Sequence, residues 1–405
     1  MSTTSPLHVL VSGGGIAGNA VALQLLRNGI RTTVVERAAV PRPGGQAVDL
    51  RGPSKEAAER MGLMEGIAKY QLDERGMYYI DGSGKTYARM AMEDFDGQGA
   101  VAEIEITRGD LNQVLLDAVA AADDDGQLDY RYGEWIDTVV QNDTGVDVTF
   151  ASGSTEHFDL VIGADGVHSA TRRLVFGPEE QFSTNLGGYG AFFTMPKPAD
   201  VEPGWFSMRL IPGAMLGIRP DADPSTAKAI ITMRTEKDPA LRRDVDAQRA
   251  LIRKAIADAG WHAPAILAAM DSTPDFYFDE VARVDVPELS VGRVTLIGDA
   301  GYSGSPLSGM GTAMAIVGAY ILAAEIAATP DDLAGAQQRY QDKISPFLDK
   351  AKEIPGGGMA MMIPKSPLAT RLAKTSVRLM MSRPMRPLTK KIFFGHTEEF
   401  TLPTY

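Results

Sequence analysis

The chain has 405 residues, of which 44% are hydrophobic and 23% charged, a balance that suits a large globular protein with two domains or one elaborated core. Its formal net charge of −12 argues against nucleic acid as a partner, because a phosphate backbone calls for a basic face. The absence of cysteine excludes disulfides, thiolate metal sites and a redox dithiol.

The first predicted element is an apolar strand, Leu7 to Ser12, running directly into glycines at 13, 15 and 18. No basic or apolar leader pattern precedes it, so the sequence predicts no signal peptide and a cytoplasmic location. Gly13 permits a tight turn, Gly15 lets backbone approach a pyrophosphate, and Gly18 lets a helix pack closely on the strand. A helix follows over Asn19 to Asn28, with Ala22 and Leu25 on its sheet-facing side, and Gly29 breaks it. A second strand, Thr32 to Glu36, ends in an acid that can accept hydrogen bonds from a ribose. Strand, turn, helix, strand and acid in register predict a site for an adenine dinucleotide, with phosphates on the amides of the helix start. The pattern does not say which dinucleotide.

Further along, a buried strand over Leu160 to Ile162 ends in Asp165-Gly166, with Ser169, Arg172 and Arg173 beyond. Such a turn can set a carboxylate and amides beside phosphates; the plainer alternative is a turn with an Asp helix cap. Between about 180 and 285 the pattern changes to short β-like runs, Tyr189 to Met195, Trp205 to Ile211, Ala214 to Ile218 and Ala227 to Met233. They predict an antiparallel sheet, followed by helices over Arg242 to Ala259 and Ala263 to Met270. A third buried strand ends in Gly298-Asp299 and leads through Pro306, Gly309 and Gly311 into the apolar helix Thr312 to Ala327. Asp299 can bond polyol hydroxyls, and the helix start can face an anion. That helix is read as buried, since no apolar run has the length of a membrane span.

From Ile354 to Thr397 the chain carries eight Lys or Arg (Lys365, Arg371, Lys374, Arg378, Arg383, Arg386, Lys390, Lys391) and no Asp or Glu. The favoured reading is a tail that packs its apolar stripe on the acidic remainder with its charges solvated; the alternative is an anionic membrane surface. The five histidines, 8, 157, 168, 262 and 396, are scattered and predict no metal set. Trp261 and the cluster Phe276-Tyr277-Phe278 are read as core packing, with cavity lining as the alternative.

These residues resemble the FAD-dependent aromatic-hydroxylase family, the class A flavoprotein monooxygenases, and most nearly its tetracycline-modifying and polyketide-tailoring branch. Gly13, Gly15, Gly18, Ala22, Leu25, Gly29 and Glu36 match its first motif, Asp165, Gly166, Ser169 and Arg172 its second, and Gly298 and Asp299 its third. Arg108, at a predicted helix start, resembles the family's cofactor-contacting arginine. Arg42 and Asp49 match positions linked to nicotinamide and flavin contacts. Ala17, Arg37, Pro306, Gly309 and Gly311 complete the expected cofactor set.

The resemblance implies an α/β fold. A Rossmann-like FAD-binding domain would occupy 1–178 and 286–330, an antiparallel-sheet substrate domain 179–285, and a C-terminal helical segment 331–405. It also implies FAD with NADPH or NADH as transient reductant, since no second GxGxxG unit is present. In this chemistry oxygen adds at the flavin C4a carbon, and the hydroperoxide hydroxylates a polycyclic aromatic or polyketide-like small molecule. A flavin oxidase or reductase without oxygen insertion, and an FAD-bound non-redox cyclase, remain alternatives. Phe192, Arg209, Met215 and Arg219 are substrate-wall candidates, with core packing as the alternative, and Tyr302 is a candidate to bond flavin or substrate, with an edge-packed tyrosine as the alternative. The chain departs from the family pattern at Gly301-Tyr302, where Ala-His is usual, at Ala313 for Asn, and at Gly318 for Asp. The expected assembly is a monomer or a dimer.

Overall fold

The computed structural model describes residues 7–41, 44–95, 102–123, 125–354, 358–393 and 400–405. Arg42 lies outside them, as do the side chains of Lys390 and Lys391.

The predicted glycine-rich unit forms the centre of a six-stranded sheet. Its order is Ser290–Val291, Val294–Leu296, Leu160–Gly163, His8–Ser12, Arg31–Glu36 and Leu128–Tyr132, parallel except for the short first strand. The strands are apolar runs because helices cover the sheet, and Val9, Leu10 and Val11 are fully buried. Helix Ile16–Arg27 packs on helix Gly311–Ala328, which packs in turn on helix Leu333–Ala351. Helix Gly311–Ala328 is apolar all round because it is enclosed; its length and composition would suit a membrane, yet most of it is buried inside the protein. Its buried Glu325 is balanced by Arg339 at 2.9 Å, by Lys343 and by the Tyr405 hydroxyl at 2.8 Å.

The predicted antiparallel runs form most of a second sheet of eight strands. Its order is Tyr302–Ser303, Tyr277–Asp285, Ser183–Pro196, Thr226–Arg234, Ala214–Pro220, Trp205–Ile211, Gly76–Ile80 and Thr86–Ala91. The last two strands lie within the 1–178 range assigned to the FAD-binding domain, in the stretch of roughly 73 to 105 expected to interrupt its α/β sheet. Trp205 pairs with Gly76 in parallel, so that hairpin extends the substrate-side sheet. Strand alternation gives the sheet two distinct faces. Ala191, Phe193, Leu216, Ala229, Ile231 and Met233 pack against helices Val245–Ile256 and Ala263–Ser272. Phe276 and Phe278 join that core, as core packing predicts, with Phe278 stacked on Tyr189 at 5.0 Å. The opposite face, carrying Phe192, Arg219, Lys228, Tyr277 and Asp279, turns toward the first sheet.

Candidate active site

Three backbone hydrogen bonds place the three glycine-bearing turns side by side. Gly13 donates to the Val35 carbonyl at 2.8 Å, Ala164 to Ser12 at 2.8 Å, and Ile297 to Gly163 at 2.9 Å. All three turns therefore leave the carboxyl edge of the sheet where its strand order reverses, which is where open α/β sheets bind ligands. Arg172, fully buried, ties two of them together through bonds to the Ala300 carbonyl (2.8 Å) and the Val167 carbonyl (2.7 Å).

The glycines are needed by space as well as conformation. Gly13 has φ of +112°, and a Cβ on Gly18 would stand 1.8 Å from the Gly13 carbonyl oxygen. A Cβ on Gly298 would meet Ala17 at 2.8 Å, so Ala17 is the contact that lets the first and third turns approach. Helices Ile16–Arg27 and Gly311–Ala328 both begin without a side-chain cap, whereas Thr107, Ser169, Asp244 and Ser366 cap theirs. Uncapped first-turn amides with their positive dipole end are anion-binding ground.

Around these helix starts the expected polar residues divide. Glu36 is held by amides of Gly14 (2.8 Å) and Ala38 (2.7 Å), and its carboxylate keeps acceptor capacity for hydroxyl donors. Asp299 is half-buried, makes no hydrogen bond within the described chain, and lies 3.9 Å from where a Cβ on Gly311 would be. Arg108 is exposed at the start of its helix, beside Gly45. Arg37 lies over the Trp135 ring at 5.4 Å, and Pro306 and Gly309 are exposed on the loop before the long helix. Asp165 instead follows the plainer alternative: its carboxylate is engaged by Ser169 and by the Thr171 amide at 2.9 Å, within its own turn. Asp49 is paired with Arg51.

The substrate-wall candidates need three corrections. Arg209 shares a strand face with Trp205 and Ile211, the helix-covered one, and packs on the turn at Gly82, away from Phe192. Arg219 is on the expected face but already committed. It donates to Glu74 at 2.9 Å, to Glu105 at 2.9 Å and to the Ala47 carbonyl at 3.0 Å, joining the two halves of the molecule. Met215 is packed among Met208, Val281, Met359 and Ile363, beneath the C-terminal segment. Phe192 lies on the face opposite that core, 6.1 Å from the Tyr277 ring.

Tyr302 follows the packing alternative. It is 1% exposed, and its hydroxyl bonds that of Tyr340 at 2.8 Å inside the core. A Cβ on residue 318 would stand 2.0 Å from that hydroxyl, so Gly318 leaves the room the phenol fills. Two departures from the family pattern are thus one packing exchange.

Sequence reasoning undervalued Tyr277. It is 46% exposed, and the charges of Arg108 and Asp299 both bear on its phenol. It donates to Asp279 at 2.9 Å, and Asp279 faces His168 at 3.0 Å. Alternation placing it opposite the core-packed Phe276 and Phe278 was the available signal. Lys228 was missed altogether. Buried, it contacts Thr194 at 2.5 Å and lies 3.2 Å from where a Cβ on Gly44 would be, directly under the segment beside the dinucleotide site.

His168 is held between carboxylates of Asp279 and Glu179, and those bonds raise its pKa to about 9. A raised histidine stabilises the fold fully below its unfolded value near 6.5 and loses that contribution as pH climbs through about 9. We expect urea unfolding to show stability falling over that window, by about 1–2 kcal/mol after solvent screening. His168→Gln should flatten that part of the slope; an unchanged slope in the variant would place its origin elsewhere.

Comparison with known proteins agrees with this geometry. The FAD binding domain family model matches residues 6–350. An uncharacterized protein of Mycobacterium tuberculosis is 39% identical over 359 residues, covering 86% of this chain and 94% of its own. A flavin-dependent monooxygenase of Legionella longbeachae is 36% identical over 344 residues, 85% of this chain and 86% of its own. The crystal structure of the tetracycline destructase Tet(51) matches with a TM-score of 0.81 at 31% identity, over 99% of this chain and 100% of that one. The chain belongs to the FAD-binding domain family and, within it, to the flavin-dependent class A monooxygenases.

Proposed function

We propose that this protein is an NAD(P)H-driven, cytoplasmic monooxygenase that hydroxylates a polycyclic aromatic or polyketide-like small molecule. The observation that carries the reading is the pairing of two uncapped helix starts with an exposed Arg108 and an Asp299 that has no hydrogen-bond partner among the described residues, all opposite a sheet face bearing Phe192 and Tyr277. FAD fits these residues. The amides after Gly13 and Arg108 would hold its phosphates, Glu36 its ribose, Asp299 its polyol, and the start of helix Gly311–Ala328 an anionic ring edge.

When bound, FAD supplies electron transfer from the nicotinamide and activation of oxygen, chemistry that side chains lack. The protein's part is to bind, orient and shield. Phe192, packed with Tyr277, gives a planar substrate an apolar wall and keeps water from the reacting atoms. Because Tyr277 directs its proton to Asp279, its oxygen keeps acceptor capacity for a substrate hydroxyl. Likeness to a tetracycline destructase supports a fused-ring substrate.

The test is anaerobic mixing of purified protein with NADPH or NADH while flavin absorbance is followed, with dithionite as control. Bleaching by the nicotinamide, then labelled oxygen from O₂ in the product of a fused-ring phenol or polyketide, is the expected result. A flavin bleached only by dithionite, with and without such substrates, would overturn the redox reading. Substrate turnover without label would overturn oxygen insertion.

A further inference from the structure

The basic C-terminal segment buries Met359 and Ile363 and packs Met381, but its longest helix leaves its leucines outside. Helix Pro367–Met380 lies on strands Trp205–Ile211 and Thr86–Ala91 through the side that carries buried Thr370, with Lys374 and Val377 half-buried beside it. Leu368, Leu372 and Leu379 are 68%, 62% and 58% exposed. At about 100° per residue they fall within roughly 40° of each other, on the side opposite Thr370. Arg371 and Arg378, both exposed, flank them, and the helix has no Asp or Glu. Just before it Met361 and Met362 are 56% and 37% exposed, and just after it Leu388 is 48% exposed. The favoured expectation of a self-packed stripe therefore holds for Met359, Ile363 and Met381 and is corrected for this helix, which turns its leucines outward.

We propose that this helix seats the protein on an anionic lipid bilayer, lying in the plane of the interface. Leucines able to enter the acyl boundary, edged by arginines at headgroup height, are the two features such binding uses. Charge selects the occupant. The stripe is cationic in a chain of net charge −12, so an anionic surface is drawn to this side and repelled elsewhere. A second copy is a poor cover, since a two-fold interface on this face would set Arg371 and Arg378 against their own equivalents. The proposal rests on the surface alone, independent of the substrate reading.

The test is co-sedimentation of the FAD-loaded full chain with vesicles of phosphatidylcholine, with and without roughly one-third phosphatidylglycerol. Two double variants are compared, Leu368→Glu with Leu372→Glu, and Arg371→Gln with Arg378→Gln. All four side chains are exposed, and flavin content and unfolding midpoint verify the fold. The expected result is binding to the anionic vesicles that weakens at least tenfold in each double variant and in high salt. Wild-type protein that stays in the supernatant would overturn the proposal, as would binding unaffected by the leucine pair or equal on neutral vesicles. A dimer that the leucine pair converts to monomer, with vesicles ignored, would assign the face to a second copy instead.

Discussion

Replacing Arg219 by Ala is expected to cost about 3–5 kcal/mol of unfolding free energy, the range for breaking a buried ion pair from one side. The guanidinium stands between Glu74 and Glu105, whose side chains are 0% and 2% exposed. Two carboxylates share one cation, so burial, set against Arg219 and aided by Glu74, raises the Glu105 pKa to about 7 and also raises that of Glu74. A carboxyl whose folded pKa is raised favours the fold while protonated and loses that contribution as pH rises from its unfolded value through about 7. The deficit of Arg219→Ala should accordingly be larger at pH 8 than at pH 5.5, where Glu105 can take a proton. Urea titrations of both proteins at the two pH values measure it. A loss below about 1 kcal/mol at pH 8 would mean that Arg219 is not the counter-ion this cluster depends on.

The same arginine shows where sequence reading stops. Its partners lie 145 and 114 residues away, and no local period marks them. An arginine at a sheet position facing a cavity reads as a ligand contact until the opposing carboxylates are placed. Arg209 was more legible: alternation along Trp205–Ile211 puts it with Trp205 and Ile211, against the helices, and only a joint reading of both faces reveals that. By contrast, the dinucleotide turns were almost fully legible, because strand, glycine and helix start are local and each glycine answers a local collision. Tyr302 lay between these cases. The sequence displayed both halves of the exchange, Tyr302 and Gly318, as separate departures, and only packing shows that one fills the space of the other.

Asp299→Ala is expected to empty the flavin site while leaving the fold in place. The two changes are thus opposites: Arg219 is fully committed within the chain, whereas the Asp299 carboxylate has no hydrogen-bond partner among the described residues. Removing a charge-assisted hydrogen bond to bound hydroxyls costs about 1.5–3 kcal/mol, roughly 10- to 100-fold in affinity. Apo forms of the two proteins should therefore unfold within about 1 kcal/mol of each other, since no hydrogen bond among the described residues is lost. The variant should purify colourless and regain FAD only at much higher concentration, measured by quenching of flavin fluorescence on titration. Gly298 must stay glycine in such a comparison, because a Cβ there would press on Ala17 and confuse a lost contact with a displaced turn. Stoichiometric FAD in purified Asp299→Ala would remove this carboxylate from the cofactor set and leave the uncapped amides and Arg108 to hold the dinucleotide. An apo variant that unfolds several kcal/mol early would make Asp299 a residue of the fold.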